Sequence, residues 1–482
     1  MRERQTQSTT TQQKVLLPYD VVDKRIRQME REHDLLQHTV DGWCVWPLLR
    51  FGVQFTLAYD LGGLSSTPSW RQRLSMVLQD LPRLLTLRQA RYVVKTYTSG
   101  LAEQEGDFYK DIWFDDLIRE LGTCLKIETI NSPSFMPRRQ AALIKSDVTS
   151  NGLYLVAGGL AMLGGPRNIP AIAQCLSTCL SHEFGAELFT SRWIVLRLRY
   201  FYWLKQLYSR LLQRIRPAYL LTADGGEHAL VAAAKELGII VVELQHGLID
   251  RYHSGVSWTS YALPYKARMP IPDQVFVYGE HWKQELDTNG FWGESLRTVG
   301  NSRLDQYRER AMVTHSTKLC HLLLTTQGID IEALIVFIAS FLDIARGRLD
   351  LCLSIKLHPI YESSKDPYLK FFQGDTTVQV FLGSESPSTL ELLTQTHVHL
   401  SISSTCHYEA LGLGVPTVIL PLASHEIVLP LYEAGHAALA HTPHDLLDIV
   451  IQHNGQRVPE KVRAYYFATH ALENMQRALV QF

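Results

Sequence analysis

Short apolar runs alternate with segments of helical period along the last third of the chain. The helical segments are "DIEALIVFIASFLDIARG", "SPSTLELLTQ" and "HTPHDLLDIVIQH". The apolar runs, which end in polar residues, glycine or proline, are "KLCHLLLTTQG", "LDLCLSIKLHP", "TTVQVFLG", "HVHLSIS" and "PTVILPL". This alternation predicts a parallel sheet with helices on both faces and right-handed crossovers. Thr442 and Asp445 predict a capped start for the last of these helices.

The first part of the chain repeats this pattern less regularly. Strands are predicted in "ARYVVKTYTSG", "CLKIETI", "PAYLLTADGG", "IIVVELQHG", "DQVFVYG" and "LRTVG", and another at the start of "GWCVWPLLRF". Helical segments between them end at glycines, which are common stop signals. We therefore expect an α/β fold of two doubly wound Rossmann-like domains that face each other across a cleft.

The predicted organisation has four parts. The polar residues 1–20 are expected to form a disordered lead-in. Residues 21–312 form the first α/β domain, with a helical insertion at about 150–216, and residues 313–460 form the second domain. Residues 461–482 are expected to form a C-terminal helix that packs back on the first domain.

Composition narrows the classes of function. The sequence is 46% hydrophobic and 20% charged, and its net charge of -1 gives no indication of nucleic-acid binding. The seven cysteines are dispersed without a C-x-x-C pair, which is typical of reduced thiols in the cytoplasm. The polar N-terminus lacks the apolar core of a signal peptide, and no apolar run reaches membrane-spanning length.

Ligands of open α/β sheets bind beyond the carboxyl ends of the strands, so those ends are the candidate sites. Ser403, Ser404 and Thr405 lie between a strand and a helix start, where hydroxyls and free N–H groups suit a phosphate. Glu409 follows one turn later and can accept hydrogen bonds from ribose hydroxyls. Gln327 ends another strand on the same side. The alternative is ordinary helix capping by a hydroxyl.

A second strand end carries Lys356, His358 and Pro359. A cation and an imidazole there can neutralise a phosphate, and the proline fixes the turn. The alternative is an ordinary strand end with a surface lysine.

Three strand ends of the first domain carry chemistry. In "TADGGEH", Asp224 and Glu227 can act as a general base, although Asp224 could equally cap the next helix. In "ELQHGLI", His246 is predicted to face the same cleft, unless it is a structural histidine. In "VGNSRLD", Asn301 and Arg303 lie at the domain junction, where Arg303 reaches a phosphate or pairs with Asp305.

Several well-known motifs are missing from the sequence. It has no G-x-x-x-x-G-K-[ST], no G-x-G-x-x-G after a strand, no H-E-x-x-H and no cluster with zinc spacing. ATPase, Rossmann dehydrogenase and metalloprotease activities are therefore disfavoured, and no metal site is predicted.

The ordered motifs resemble those of a known group of enzymes. "ADGG", "KLHP" and "SISST" are similar to the acidic, H-P and S-S/T motifs of bacterial GT-B glycosyltransferases of surface-polysaccharide synthesis. That group contains capsule Kdo transferases, polysialyltransferases and teichoic-acid glycerophosphate transferases. "QHG" and "GNSRLD" also resemble segments of this group and of sugar-nucleotide 2-epimerases. The resemblance covers roughly residues 215–425, and Ala223 stands where the first acid of the group is expected.

This resemblance implies a metal-independent glycosyltransferase without a cofactor. Asp224 would be the base, with Glu227 as its substitute, and His358 and the serines would bind the phosphate of the donor. The implied donor is a nucleotide-activated sugar, for example the CMP-sugar CMP-Kdo. The acceptor would be a glycan or lipid-linked glycan of the cell surface. A single base opposite the leaving group implies inversion.

Two rival functions remain open. A sugar-nucleotide epimerase on the same scaffold would need more acids across the cleft than Asp224 and Glu227. A non-catalytic polysaccharide-assembly protein is favoured by Ala223 at the acidic position.

Residues 191–217 are rich in arginine and aromatic residues and contain no acid. Such a helix can lie on anionic lipid, which would place the protein peripherally at the inner face of the plasma membrane. The alternative is an amphipathic domain helix whose arginines are solvated or paired with acids elsewhere.

Overall fold

The computed structural model describes residues 17–58, 75, 78, 82–84, 86–98, 103–105, 108–130, 146–185, 188–223, 225–311, 319–359 and 361–481. Most of the predicted lead-in lies outside the described residues, as does Asp224. Within the described part of the chain, no helix combines the length and the apolar character needed to cross a bilayer.

Two parallel sheets organise the chain. The strands in chain order are β1 (Thr39–Val40), β2 (Trp43–Cys44), β3 (Tyr92–Tyr97), β4 (Glu103–Glu105), β5 (Phe108–Lys110), β6 (Cys124–Thr129), β7 (Val148–Thr149), β8 (Tyr219–Thr222), β9 (Ile240–Leu244), β10 (Gln274–Val277), β11 (Leu296–Thr298), β12 (Cys320–Thr325), β13 (Leu351–Lys356), β14 (Val378–Phe381), β15 (Val398–Ser401), β16 (Thr417–Ile419) and β17 (Ala438–Leu439). β1–β2 and β4–β5 are small antiparallel hairpins.

Both sheets have the doubly wound strand order. The N-terminal sheet runs β11-β10-β9-β8-β3-β6-β7, and the C-terminal sheet runs β14-β13-β12-β15-β16-β17. Every pair within them is parallel. In the first sheet, strands are added on one side of β3 and then, from β8 onward, on its other side. In the second sheet, the same switch lies between β12 and β15. Such switch points, called reversal points below, are the usual places where ligands bind. The predicted fold of two doubly wound Rossmann-like domains facing a cleft is confirmed.

Helices cover both sheets. Those of the first part are Tyr19–His33, Pro47–Ala58, Asp115–Leu121, Asn151–Leu163, Ile169–Phe184, Ser191–Ile215, His228–Glu236, Glu280–Leu286 and Ser302–Ala311. Those of the second part are Ile331–Ala345, Asp366–Phe371, Thr389–Thr394, Cys406–Leu413, Leu429–Glu433, Pro443–His453, Glu460–Tyr466 and Ala471–Val480. The predicted cap of Pro443–His453 is confirmed, because Thr442 and Asp445 form a reciprocal capping box.

The predicted strand at the start of "GWCVWPLLRF" is confirmed as Trp43–Cys44, although it belongs to a small hairpin. Pro47 then starts a helix. That helix buries Arg50, whose guanidinium contacts Glu30 (Nε–Oε1, 2.5 Å) and the carbonyl of Ser257 (2.8 Å). The segment therefore fixes the loop after β9, and its sequence pattern serves buried polar contacts rather than a sheet.

The last residues of the chain cross from the second domain to the first. The helix Glu460–Tyr466 packs beside the helix Cys406–Leu413, and Ala468 N–H then donates to Tyr278 O at 2.8 Å. Ala471 begins the final helix and donates its N–H to Asp305 Oδ2 at 2.8 Å. The crossing strap, residues 465–471, passes so close to Gly300 that an added Cβ would lie 2.3 Å from Ala468 O.

This close approach predicts an unequal effect of two alanine substitutions. Gly300→Ala is expected to destabilise the protein by roughly 3 kcal/mol, because it combines a positive φ of 97° with a backbone clash. Gly290→Ala is the matched control, since its φ is 67° but no atom lies within 4 Å of the added Cβ. The control should cost only about 1 kcal/mol. Equal shifts of the thermal unfolding midpoint in the two variants would contradict the close approach.

Candidate functional site

The reversal point of the N-terminal sheet holds a buried ion pair. Lys95, on β3, lies with its Nζ 2.8 Å from Glu227 Oε1, and both side chains are buried. Lys95 also donates to Thr129 Oγ1 at 2.5 Å, and Tyr154 OH donates to Glu227 Oε1 at 2.5 Å. A buried carboxylate with two such donors is held in one position, which a proton-transferring group requires.

A second buried carboxylate lies on the same face of the sheet. Lys95, Thr222 and Glu243 are neighbours in register on β3, β8 and β9, so their side chains point to one side. An added Cβ at Gly225 would lie 3.2 Å from Glu243 Oε1, so this carboxylate reaches the loop that follows β8. A larger residue at this position would require the carboxylate to shift by a few tenths of an ångström. Neither Lys95 nor Glu243 was predicted from the sequence, because inside a strand both resemble surface charges.

The loop after β8 contains the predicted base, Asp224, and two glycines. Asp224 lies outside the described residues, while Ala223 before it is buried. Gly225 and Gly226, which directly precede Glu227 in the sequence, carry no side chains. His246, at the end of β9, faces the ring of Tyr97 edge-on at 6.5 Å between centroids, so it lies beside the same strand ends.

The helix Cys406–Leu413 of the C-terminal domain packs on helices beside the N-terminal sheet. Tyr408 lies 4.7 Å from the Trp282 ring, between centroids, and an added Cβ at Gly412 would lie 2.5 Å from Leu304. Burial raises the pKa of the half-buried Glu409 carboxyl, and the positive charge of Arg303 opposes that rise. Asp305 Oδ1 lies 3.6 Å from Arg308 Nη1.

Hydroxyls and an amide line the reversal point of the C-terminal sheet. Ser404 Oγ accepts from Cys406 N–H at 3.2 Å, so it caps the helix, whereas the Thr405 side chain is exposed and makes no cap bond. Ser403 is half-buried beside them. Gln327 Nε2 donates to Ser401 Oγ at 2.9 Å, while its buried Oε1 has no hydrogen-bond partner among the described residues. The helix start therefore combines polar side chains with the positive end of the helix dipole.

The H-P turn is held by an acid that sequence analysis missed. Glu362 is buried, accepts from His358 N–H at 3.0 Å and from Tyr368 OH at 2.8 Å, and also accepts from Thr326 Oγ1. Nothing in "YESSKDP" distinguishes this glutamate from a surface acid. Pro359 contacts Gly383, where an added Cβ would lie 2.4 Å from the proline.

His358 is neutral in this turn. Burial lowers its pKa to about 4, and Nδ1 accepts from Tyr361 N–H at 3.2 Å. A neutral ring whose Nδ1 accepts carries its proton on Nε2, so His358 can donate a hydrogen bond but brings no positive charge. The predicted neutralisation of phosphate by His358 is corrected in this respect.

Two further predicted residues have structural roles. Lys356 is buried and donates to the carbonyl oxygens of Leu382 (2.8 Å), Glu385 (2.5 Å) and Pro387 (2.9 Å). An ammonium has only three donors, so Lys356 holds the loop after β14 instead of a phosphate. Asn301 Oδ1 accepts from Leu304 N–H at 3.2 Å and thereby caps the helix Ser302–Ala311.

A buried chain of polar side chains supports the C-terminal strand ends. His399 Nε2 lies 2.9 Å from Thr325 Oγ1, and its Nδ1 lies 2.8 Å from Thr417 Oγ1. His407 Nδ1 lies 2.6 Å from the same Thr417 hydroxyl. Because one hydroxyl can donate only once, at least one of the two imidazoles must donate to it. This network fixes the first turn of the helix Cys406–Leu413 against the sheet.

The comparisons with known proteins concern mainly the fold. No family model matches the chain, and no curated protein matches it. A UDP-GlcNAc 2-epimerase from Neisseria meningitidis bound to UDP-GlcNAc is 16% identical with a TM-score of 0.49, over 81% of this chain and 100% of that one. The UDP-GlcNAc 2-epimerase from Methanocaldococcus jannaschii is 15% identical with a TM-score of 0.48, over 81% and 99%. MurG from Acinetobacter baumannii is 12% identical with a TM-score of 0.42, over 81% and 100%.

These neighbours correct one expectation from the sequence. The prediction of a glycosyltransferase that uses a CMP-sugar is wrong on this comparison, because the similar structures with the higher scores are UDP-GlcNAc 2-epimerases. The specific resemblance to the capsule Kdo transferase group is not confirmed. Identities this low describe a shared fold alone.

The role of Lys356 is testable by removing its donors. Lys356→Met leaves three carbonyl groups without their buried donor and is expected to destabilise the protein by roughly 3 kcal/mol. Lys370→Met, at an exposed position of the neighbouring helix, is the control and should change stability by less than about 0.5 kcal/mol. Thermal unfolding of both variants measures the difference. A Lys356→Met protein as stable as the control would show that the ammonium does not hold the loop.

The buried histidines predict a pH-dependent stability. Burial lowers the pKa of His407 from the ordinary 6.5 to about 4, so the unfolded chain binds a proton there more readily than the folded chain. Stability is therefore lost as pH falls from about 6.5 toward 4. In His407→Asn this fall in the unfolding midpoint should be smaller than in wild type, whereas His441→Asn, at an exposed position, should behave as wild type. Identical pH profiles for His407→Asn and wild type would contradict the prediction.

Proposed function

We propose that this chain is an enzyme that binds a nucleotide-activated sugar between its two sheets and epimerises the sugar without an acceptor. The nucleotide lies against the C-terminal domain, and the sugar lies against the strand ends of the N-terminal domain. In the proposed reaction, one carbon of the sugar is inverted. Its C–H bond is broken and then formed again on the opposite face, and the proton exchanges with water.

The second carboxylate at the N-terminal reversal point carries this proposal. Inversion by proton transfer needs groups that accept and return a proton. The sequence alone offered Asp224 and Glu227, whereas the structure adds Glu243 beside the loop of Gly225. Lys95 offsets the buried negative charge of Glu227, and Glu243 places a second buried carboxylate on the same face of the sheet.

The C-terminal strand ends support the nucleotide. The start of the helix Cys406–Leu413 presents the positive end of the helix dipole and the hydroxyls of Ser403 and Ser404 to an anion. His358 adds a neutral donor, which binds a phosphate oxygen without requiring a particular protonation state near pH 7. Glu409 lies one turn inside the helix, where it can accept from ribose hydroxyls while Arg303 limits its burial cost.

The proposed activity is tested with UDP-GlcNAc in deuterated water. Wild type should incorporate deuterium at one sugar carbon and form a second sugar nucleotide, both measured by NMR. Glu227→Gln should lower this rate by roughly 100-fold or more, because it removes a proton-transferring group. It should keep the rise in melting temperature that the nucleotide causes, since the nucleotide contacts lie on the other domain.

Glu332→Gln is the matched control, because this glutamate is exposed on the helix Ile331–Ala345. It should retain both exchange and the thermal shift. A Glu227→Gln protein that exchanges at the wild-type rate would overturn the role of Glu227. If UDP, GDP, dTDP and UDP-GlcNAc all leave the melting temperature unchanged, the non-catalytic alternative is favoured instead.

A further inference from the structure

The helical layer between β7 and β8 carries a surface that neither sheet uses. Residues 148–182 and the helix Ser191–Ile215 contain no aspartate or glutamate, yet Arg167, Arg192 and Arg197 among them are exposed. Acids of other elements face the middle of the long helix, where Lys205 Nζ lies 2.7 Å from Asp41 Oδ2 and 2.5 Å from Glu236 Oε1. Arg192 and Arg197 lie about two to four turns before this pair, and local positive charge of this kind attracts anionic partners.

An exposed apolar tip lies within this basic layer. Met162 and Leu163 end the helix Asn151–Leu163 with 75% and 86% of their surface exposed, the latter being the most exposed large hydrophobic residue of the described chain. Leu196, on the long basic helix, is 39% exposed. Two adjacent apolar side chains with this much exposure are unusual on a surface that contacts only water.

The tip is fixed against the basic helix rather than hanging free. Trp203 Nε1 donates to Gly164 O at 2.8 Å, directly after the tip. An added Cβ at Gly165 would lie 2.8 Å from Arg199 Cγ, so the turn packs closely on that arginine. Arg192, Leu196 and Arg199 recur at helical spacing and therefore share one face of the helix.

We propose that this surface, the tip patch of Met162, Leu163, Arg167, Arg192 and Leu196, docks the protein on an anionic phospholipid membrane. Apolar side chains that insert between headgroups, ringed by arginines that meet lipid phosphates, are the combination that interfacial binding requires. Because the apolar tip and the arginines lie on packed helices, both can contact the membrane at the same time.

Charge favours lipid over a second copy of the chain. A two-fold interface would set the same patch against itself, and its arginines would then face arginines without any acid between them. A nucleic acid would satisfy the arginines but would leave Met162 and Leu163 without apolar contact. Both alternatives are outcomes of the test below.

The test is flotation of the full chain with vesicles of phosphatidylcholine alone and of phosphatidylcholine with phosphatidylglycerol. Wild type should float only with the anionic vesicles, and less in high salt. Met162→Ser with Leu163→Asp should abolish flotation. Arg167→Gln with Arg192→Gln should weaken partitioning by roughly tenfold or more, since each basic residue contributes about fivefold near such a surface.

Val336→Asp and Arg348→Gln are matched controls, because both positions are exposed on or beside a helix of the other domain. They should float as wild type does. Equal flotation of the tip variants and the controls would overturn the proposal, as would binding to neutral vesicles. The proposal also fails if light scattering shows a dimer that Leu163→Asp dissociates, or if the chain binds DNA or RNA but not anionic vesicles.

Discussion

The buried ammonium of Lys95 is the contact on which the N-terminal half of the site depends. It lies 2.8 Å from Glu227 Oε1 and 2.5 Å from Thr129 Oγ1, with almost no exposure to water. Two buried carboxylates without this cation would carry a large desolvation cost, and the pair is tolerated because hydrogen bonds satisfy its remaining donors and acceptors. Such a costly arrangement at a sheet reversal point is more readily explained by chemistry than by stability.

The C-terminal half is held by neutral and saturated contacts instead. Lys356 donates to three carbonyl oxygens, and Glu362 accepts from the His358 N–H and so holds the H-P turn. Burial lowers the pKa of His358 to about 4, so this side chain is uncharged near pH 7. An anion at these strand ends would therefore meet backbone N–H groups, hydroxyls and a helix dipole. The crossing strap and the packing of Gly412 on Leu304 bring this half against the N-terminal sheet. The two halves thus differ in character: one holds buried ionisable groups, the other a mostly neutral polar cradle.

The sequence predicted the fold well because parallel sheets bury both faces. Their strands stand out as apolar runs, and helix ends are marked by residues such as Gly414 and Thr442. The start of "GWCVWPLLRF" was correctly predicted as a strand, but the pattern did not show that Pro47 opens a helix after it or that the Arg50 of this helix is buried by distant partners. Periodicity cannot show contacts made two hundred residues away.

The site was predicted only in part, for the same reason. Glu409 and Arg303 were identified at strand and helix ends, and the Arg303 charge lowers the Glu409 pKa against the effect of burial. Lys356 was predicted to bind a phosphate, because a lysine at a strand end looks exposed in the sequence. In the structure, the loop Leu382–Pro387 covers its side chain. Lys95, Glu243 and Glu362 are charged residues whose burial depends on register and turn geometry, and no local pattern reveals that.

A crystal structure of the chain with a bound UDP-sugar tests the central claim most directly. The account predicts the phosphates at the start of the helix Cys406–Leu413, near Ser404 and His358, with the sugar within hydrogen-bond distance of Glu227 or Glu243. A nucleotide bound elsewhere, or a sugar directed away from both carboxylates, would contradict it.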